Sequence, residues 1–150
     1  MKFFKHKEAR GKIMVCYKAS DAADDALKLA QKYAKKWDAA IDVVSAVKRE
    51  DSSDPAHENE IEELFQSQLR KRFESLDIPY DAHMLITPFT VGEQLVMFSE
   101  NKDYEFIFIG ISKRSKVGKL LYGSTAQYII LNAPCPVIST NGFSRIFYEK

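Results

Sequence analysis

The sequence predicts an α/β domain built on a mostly parallel sheet, and three observations lead to this fold class. Short apolar runs typical of buried strands alternate with longer segments that carry apolar residues at helical spacing. A chain of 150 residues is long enough for one domain with a sizeable core. No internal repeat or low-complexity linker divides it, so we expect a single domain whose strands are joined by right-handed crossovers.

The first half of the chain contains two strand–helix units. The run Lys12–Lys18 predicts a central first strand, and Ser20 or Asp21 is suited to cap the helix that follows. Ile41–Val47 predicts the second strand, and Asp54–Pro55 fits the cap and first position of the second helix. The expected inward positions of these helices are Ala23, Ala26, Leu27, Ala30, Ala34 and Trp37, then Ile61, Leu64, Phe65, Leu69, Phe73 and Leu76.

The second half adds three strands and two helices. Alternation along Tyr80–Thr87 predicts a half-exposed strand near a sheet edge. Thr90 and Glu93 have the spacing of a capping box for the third helix. The fourth strand, fourth helix and fifth strand are expected at Phe106–Ile109, Ser124–Asn132 and Pro136–Thr140. The expected inward residues of the two helices are Val91, Leu95, Phe98, Ala126, Ile129 and Ile130.

Composition and charge are those of an ordinary globular protein. Hydrophobic residues make up 45% and charged residues 29% of the chain, and the formal net charge is +1. A nucleic-acid-binding protein would carry a larger basic excess, and no apolar run approaches the ~20 residues that span a bilayer. With two cysteines and no apolar export signal, we expect a cytoplasmic protein with no nucleic-acid or membrane partner.

The segment from Glu105 to Thr140 has the outline of an anion site. It predicts a buried strand, a basic loop, a helix opened by Gly-Ser-Thr and a second buried strand. No acidic residue lies between Glu105 and Glu149, whereas this stretch contains the basic residues Lys113, Arg114, Lys116, Lys119 and Arg145. Ligands of open parallel sheets collect beyond the carboxyl ends of the strands, and a helix N-terminus attracts phosphate.

The glycine spacing in this segment carries a resemblance to a known family. Gly110, two residues, Lys113, nine residues and then Gly123-Ser124 follow one another. ATP-binding members of the universal stress protein family have the same spacing, with a glycine at the middle position. The chain resembles this family over roughly Gly11 to Thr140. Further matches lie in the segments Ser20–Leu27, Gly123–Ala126 and Ala133–Ile138.

The resemblance implies a fold, a domain layout and a ligand. The fold is an open five-stranded parallel sheet in the order 3-2-1-4-5 with helices on both faces, Rossmann-like and similar to the adenine nucleotide alpha hydrolases. The domain covers 12–140, between a flexible basic arm at 1–11 and an aromatic tail at 141–150. The ligand is ATP, AMP or a related phosphate compound, with no metal predicted. The implied site residues are Lys18, Ala19, Ser20, Val47, Ile109, Gly110, Lys113, Gly123, Ser124 and Thr125.

Two lysines depart from the family's pattern. Lys113 replaces the middle glycine, where its side chain either blocks the turn or reaches the phosphates. Lys18 occupies the position where ATP-binding members have an acid, and an ammonium group donates hydrogen bonds but accepts none. An alternative therefore stays open, in which the site has degenerated and the protein is a dimeric interaction or regulatory protein. Local explanations also stay open: glycines for tight turns, Ser124 and Thr125 as N-caps, and a solvated basic loop.

The other reactive residues show no catalytic or metal-binding pattern. His6, His57 and His83 share no metal-ligand spacing, and His83 is expected to be exposed. Cys16 is expected to be a small buried hydrophobe, and Cys135 has no base nearby in the sequence. We therefore expect a protein that is not an enzyme. A nucleotide hydrolase is the least favoured alternative, because no acid in the phosphate loop is placed to hold Mg²⁺.

The fifth strand is expected to pair with its own copy in a homodimer. In the implied order, Pro136–Thr140 is an edge strand, and an apolar edge with free backbone groups tends to pair with another strand. A two-fold contact would use the same residues of both subunits, Val137, Ile138 and Ser139. The aromatic tail, with Phe143 and Phe147, would then cover the junction or fold back over its own fifth strand.

Overall fold

The computed structural model describes residues 10–50, 54–111 and 123–141, and these segments form five strands alternating with four helices. The strands are β1 (Gly11–Cys16), β2 (Ala39–Lys48), β3 (Tyr80–Thr87), β4 (Ile107–Gly110) and β5 (Val137–Thr140). The helices are α1 (Asp21–Trp37), α2 (Pro55–Phe73), α3 (Val91–Ser99) and α4 (Ser124–Asn132). All neighbouring strands are parallel, in the order β3-β2-β1-β4-β5. The predicted fold class and strand order are confirmed.

Alternate residues of the central strands face opposite sides of the sheet, and two helices cover each side. On one side Ile13, Val15 and Phe108 are buried against α1 and α2. On the other side Met14 and Ile107 are buried against α3 and α4. Because both faces of these strands are covered, their sequences are continuous apolar runs rather than alternating ones. Truncating a fully buried residue such as Phe108 to Ala would cost about 3–5 kcal/mol of stability.

Side chains cap the first three helices as the sequence predicts. Ser20 Oγ accepts a hydrogen bond from the backbone N–H of Ala23 at 3.1 Å, and the Asp54 side chain caps α2. Thr90 and Glu93 form the predicted capping box, with bonds of 3.2 and 3.0 Å. Each such cap stabilises its helix by ~1 kcal/mol. The start of α4 is built differently and belongs to the site described below.

Three apolar residues predicted to face inward are exposed instead. Trp37 is 53% exposed because it is the last residue of α1, where its ring stacks on Tyr33 of the same helix. Leu64 is 59% exposed, because the buried stripe of α2 runs through Phe65 and the residues four and eight positions later. Ile130 is 44% exposed, since α4 packs through its neighbour Ile129. Even so, none of the helices in the described segments is both long and apolar enough to cross a bilayer.

Strand boundaries differ from the predicted ones by a few residues. β2 extends beyond Ile41–Val47 in both directions, because Ala39 pairs with Gly11 and Lys48 pairs with Thr87. The ladder with the neighbouring strands therefore sets the ends of β2, and the polarity of its residues does not. β1 begins at Gly11, one residue before the predicted start of the domain at position 12.

Candidate functional site

The carboxyl ends of β1 and β4 lie side by side at the point where the strand order reverses. Cys16 of β1 pairs with Ile109 of β4, so the loop after β1 begins beside Gly110. In open α/β sheets this switch point is where ligands bind. The predicted site residues contributed by these two strand ends are Lys18, Ala19, Ser20, Ile109 and Gly110.

The loop after β1 presents two free positions and one that has a structural role. Tyr17 is buried, whereas Lys18 and Ala19 are exposed. Lys18 forms no ion pair with another residue of the described segments. Ser20 is exposed, but its hydroxyl oxygen already caps α1. Lys18 is thus the side chain of this loop that has a charge available for a ligand.

Gly110 has a packing reason of its own. A Cβ atom at this position would lie 2.3 Å from the carbonyl carbon and oxygen of Ala22 and 2.6 Å from the backbone nitrogen of Ala23. The first turn of α1 therefore rests directly on the backbone at the end of β4. The Ala22 carbonyl also accepts a hydrogen bond from Thr140 Oγ1 at 3.2 Å, which ties the end of β5 to the same turn. Glycine is required at position 110 whether or not a ligand binds.

Gly123 differs from Gly110 in its exposure and in the space around its Cα atom. It is exposed, and a Cβ atom placed on it would have no neighbour within 4 Å among the described residues. Its φ of −67° is accessible to any residue, so no left-handed turn requires a glycine here. Gly123 is the N-cap of α4 and makes no side-chain capping hydrogen bond. The expectation that Ser124 or Thr125 is the N-cap is wrong, because both already lie inside the helix.

Among the described residues, no side chain caps the backbone donors at the start of α4. The first backbone N–H groups of any helix have no partner within the helix, and here no side chain of Gly123 replaces it. Ser124 is exposed and Thr125 is half-buried. The first turn of α4 contains no acidic residue, so its positive dipole end is not neutralised from within the helix. Lys113, the remaining predicted residue of this loop, lies outside the described residues.

A buried glutamine, which was not predicted from the sequence, supports the carboxyl end of β2. Val47, at the carboxyl end of β2, is 36% exposed. Its carbonyl accepts a hydrogen bond from Gln94 Nε2 at 3.0 Å, and the same nitrogen donates to the carbonyls of Phe89 at 3.0 Å and Thr87 at 3.4 Å. Gln94 Oε1 is buried and has no hydrogen-bond partner in the described structure. The available signal was a Gln among the apolar positions of a short helix.

Ile109 can contribute only its backbone to a ligand. Its side chain is buried on the α3 and α4 side of the sheet, in the cluster that contains Met14 and Ile129. The backbone of Ile109 lies at the switch point beside Cys16. The predicted involvement of this residue is therefore restricted to main-chain groups.

The first turn of α1 is acidic, and one of its carboxylates, Asp24, is held in place by the protein itself. Asp24 Oδ1 accepts hydrogen bonds from the Tyr17 hydroxyl at 2.5 Å and from Arg72 Nε at 3.1 Å. Burial alone would raise the pKa of Asp24, but these two bonds outweigh it and hold the pKa below its ordinary value. Asp24 therefore remains ionised and opposes an anion at this helix. The start of α4 carries no such charge.

Burial makes both cysteines poor nucleophiles. Burial, and to a smaller extent the neighbouring Cys135, raises the pKa of the partly buried Cys16 thiol to about 12. Burial also raises the pKa of Cys135. A thiol reacts through its thiolate, which neither residue forms readily at neutral pH.

A shallow depression of about 630 Å³ lies away from the strand ends. Its lining consists of α2 residues alone, Asn59, Glu62, Glu63, Gln66, Ser67 and Arg70. The acids Glu62 and Glu63 are exposed, as expected of a solvated helix face. This depression brings together no part of the predicted site.

A family-level match covers most of the chain. The sequence profile of the universal stress protein family matches residues 9–140. The chain belongs to this family. A curated universal stress protein of Mycolicibacterium smegmatis is 45% identical over 47 residues, which are 31% of this chain and 36% of that protein. The matched segment thus spans about a third of that relative.

Solved structures of universal stress proteins have the same fold. One from Archaeoglobus fulgidus superposes with a TM-score of 0.70 at 25% identity, covering 91% of this chain and 97% of that one. The structure of the universal stress protein from Archaeoglobus fulgidus in complex with dAMP gives a TM-score of 0.69 at 23% identity, covering 87% and 98%. These likenesses extend over nearly all of both chains.

Proposed function

We propose that this universal stress protein binds an adenine nucleotide at the β1–β4 switch point. The observation that carries the proposal is the start of α4, where an exposed Gly123 leaves the first turn without a side-chain cap or an acidic residue. A family relative of the same fold binds dAMP. The role that we propose for this nucleotide binding is non-catalytic and belongs to the stress response of the cytoplasm.

The phosphates belong at the start of α4. Backbone N–H groups and the positive dipole end form an anion site at a helix N-terminus. Ser124 and Thr125 add hydroxyl donors in the same turn. Lys113 precedes this turn in the sequence, and its ammonium would add a positive charge to the phosphate end.

The nucleoside belongs at the ends of β1 and β2. Val47 offers partly exposed apolar surface for a base, and Gln94 holds its carbonyl in place. Lys18 donates hydrogen bonds and accepts none, so it favours ligand oxygens over ligand donors. The acid expected at this position in ATP-binding relatives would have the opposite preference. Lys18 thus changes which nucleotides fit this end of the site, compared with ATP-binding relatives.

Calorimetric titration of the purified protein with ATP, AMP and cAMP tests the proposal. We expect at least one of them to bind with one site per chain. Mass spectrometry of the material extracted from the protein identifies any ligand retained during purification. Assay of phosphate release from ATP tests the non-catalytic assignment, and we expect no release above the spontaneous rate. If none of the three nucleotides bound at millimolar concentration, the degenerate-site alternative would replace this proposal.

We also propose a homodimer that forms along β5. Within the described segments β5 pairs only with β4, so its other edge is open. Val137 and Ile138 pack against the two core clusters and Ser139 is exposed, so the pairing would rest mainly on backbone groups. The tail at 142–150 lies outside the described residues.

Light scattering of the full chain and of a chain ending at Asn141 tests this assembly. A dimer of both would support pairing through β5 alone. A dimer of the full chain with a monomer of the shorter chain would assign part of the contact to the tail. A full-length monomer at high protein concentration would refute the homodimer.

A further inference from the structure

Parallel pairing of β2 and β3 brings together three metal-ligating side chains that are far apart in sequence. Asp42 of β2 pairs with Asp81 of β3, and His83 follows Asp81 on the same face of that strand. One ligand atom from each of Asp42, Asp81 and His83 lies within 4.8 Å of the others. Within the described residues this is the one group of three or more potential ligands that the fold assembles.

The distance between His83 Nε2 and Asp42 Oδ1 fits a shared bound ion better than a direct hydrogen bond. His83 Nε2 lies 3.4 Å from Asp42 Oδ1, yet it is buried and forms no hydrogen bond in the described structure. Ligand atoms that bind one Zn²⁺ tetrahedrally, each at ~2.1 Å, lie about 3.4 Å from each other. A buried ring nitrogen without a hydrogen-bond partner is an expensive arrangement, which a cation would relieve.

Two neighbours hold the Asp42 carboxylate so that Oδ1 remains available. Asp42 is 5% exposed. Its other oxygen, Oδ2, accepts a hydrogen bond from the Tyr104 hydroxyl at 2.5 Å and lies 3.3 Å from Lys12 Nζ. Outer partners of this kind orient metal-ligating carboxylates.

His83 is itself positioned by packing. Its ring lies 4.9 Å from the ring of Phe98 on α3, measured between centroids. The residue is half-buried, so the sequence expectation that it is exposed is only partly met. Asp81 is exposed, and its side chain has the freedom to close the longest of the three gaps. The ring of His83 and the carboxylate of Asp42 are thus fixed, while Asp81 completes the set from the solvent side.

We propose that Asp42, Asp81 and His83 form a zinc site at the edge of the sheet. Imidazole nitrogen favours Zn²⁺ over the hard cations Mg²⁺ and Ca²⁺, which take six or more oxygen ligands. Three protein ligands leave one tetrahedral position for water. The site is separate from the nucleotide crevice, because Asp42 and Val47 are five residues apart on β2, about 16 Å along the strand.

Zinc titration of the full chain, with chelator competition, tests the site. We expect one Zn²⁺ per chain, and Co²⁺ in its place should give the intense visible absorption of tetrahedral cobalt. Asp81→Asn and His83→Gln should each weaken the affinity more than about tenfold, since even the loss of an outer partner has an effect of ~10–100-fold. Lys12→Met, which removes a competing positive charge, should strengthen it.

His57→Gln is the matched control. His57 Nδ1 lies 3.6 Å from Glu60 Oε1 on the exposed face of α2, so this pair has the same chemistry with two ligands rather than three. Its variant should bind Zn²⁺ as the wild type does. Circular dichroism checks that Asp81→Asn is folded, as expected for an exposed residue. Three results would overturn the proposal. The wild type could fail to bind Zn²⁺, both ligand variants could still bind it, or a Cys16→Ser, Cys135→Ser variant could lose the binding.

Discussion

The starts of α1 and α4 both lie beyond the carboxyl end of a central strand, yet they are built in opposite ways. Ser20 caps α1, and the acids Asp21 and Asp24 lie in its first turn. Gly123 begins α4 without a side-chain cap, and no acid follows it. The first helix start is complete within the protein, whereas the second leaves donors and a positive dipole end for an anion. The two motif glycines also differ, since Gly110 packs against α1, whereas a Cβ atom on Gly123 would meet no described residue within 4 Å.

The largest effect that we expect is a difference in stability between variants of these two glycines. Gly110→Ala should destabilise the fold by about 2–3 kcal/mol, because its Cβ would overlap the backbone of Ala22 and neither partner can move away. Gly123→Ala should lose less than about 1 kcal/mol, the difference between Gly and Ala as N-caps. Urea unfolding of both variants measures the contrast. Equal losses would show that the two glycines do not have the separate roles described here.

The next effect separates binding from folding at Gly123. Gly123→Val should weaken nucleotide binding by more than about tenfold, or ~1.4 kcal/mol, because a branched side chain would cover the donors at the start of α4. The free energy of unfolding should change little, since a Cβ at this position has no neighbour within 4 Å among the described residues. Calorimetry and urea unfolding of the same sample compare the two. Nucleotide binding at wild-type affinity would place the phosphates elsewhere.

A smaller effect contrasts the two hydroxyls. Ser20→Ala should destabilise the protein by ~1 kcal/mol through the loss of the α1 cap. Ser124→Ala should leave stability nearly unchanged, because Ser124 lies inside α4 and its hydroxyl caps nothing. In nucleotide binding we expect the reverse, with Ser124→Ala showing the larger loss. Thermal unfolding with and without ligand measures both quantities.

The smallest effect concerns the charge at the nucleoside end. Lys18→Asp should raise the affinity for ATP a few-fold by restoring an acceptor where ATP-binding relatives have an acid. Lys18 is exposed, so the substitution should not alter the fold. Lys48→Asp, at another exposed lysine close to the strand ends, is the control for a general change of charge. Unchanged or reduced affinity in Lys18→Asp would mean that Lys18 points away from the ligand or contacts it favourably.

The sequence predicted the fold well because its strongest signals are local. Apolar runs, helical spacing and capping residues act within a few positions, and the caps Ser20 and Thr90 lie where they were expected. The errors arose at helix flanks. Leu64 and Ile130 each lie one residue from a buried neighbour, and one residue is roughly 100° around a helix.

The candidate site was less predictable because much of it depends on register. The sequence separates Asp42 from His83 by 40 intervening positions, and only the parallel pairing of β2 with β3 brings them together. Gln94 carries no motif, and its role follows from three carbonyls that belong to different segments. The spacing of Gly110 and Gly123 identified the family, but the spacing does not distinguish a glycine needed for packing from one left open.

The two edges of the sheet differ in a way that decides how large an assembly can grow. β3 lies between Pro79 and Pro88 and carries Asp81 and His83, features that discourage a further strand from joining it. β5 has no such charges on its four residues. A subunit in which β5 can pair with another strand and β3 cannot is able to form a dimer, but it cannot add further subunits. The prolines and the carboxylate of Asp81 at β3 would thus keep a chain that pairs through β5 from polymerising into fibres.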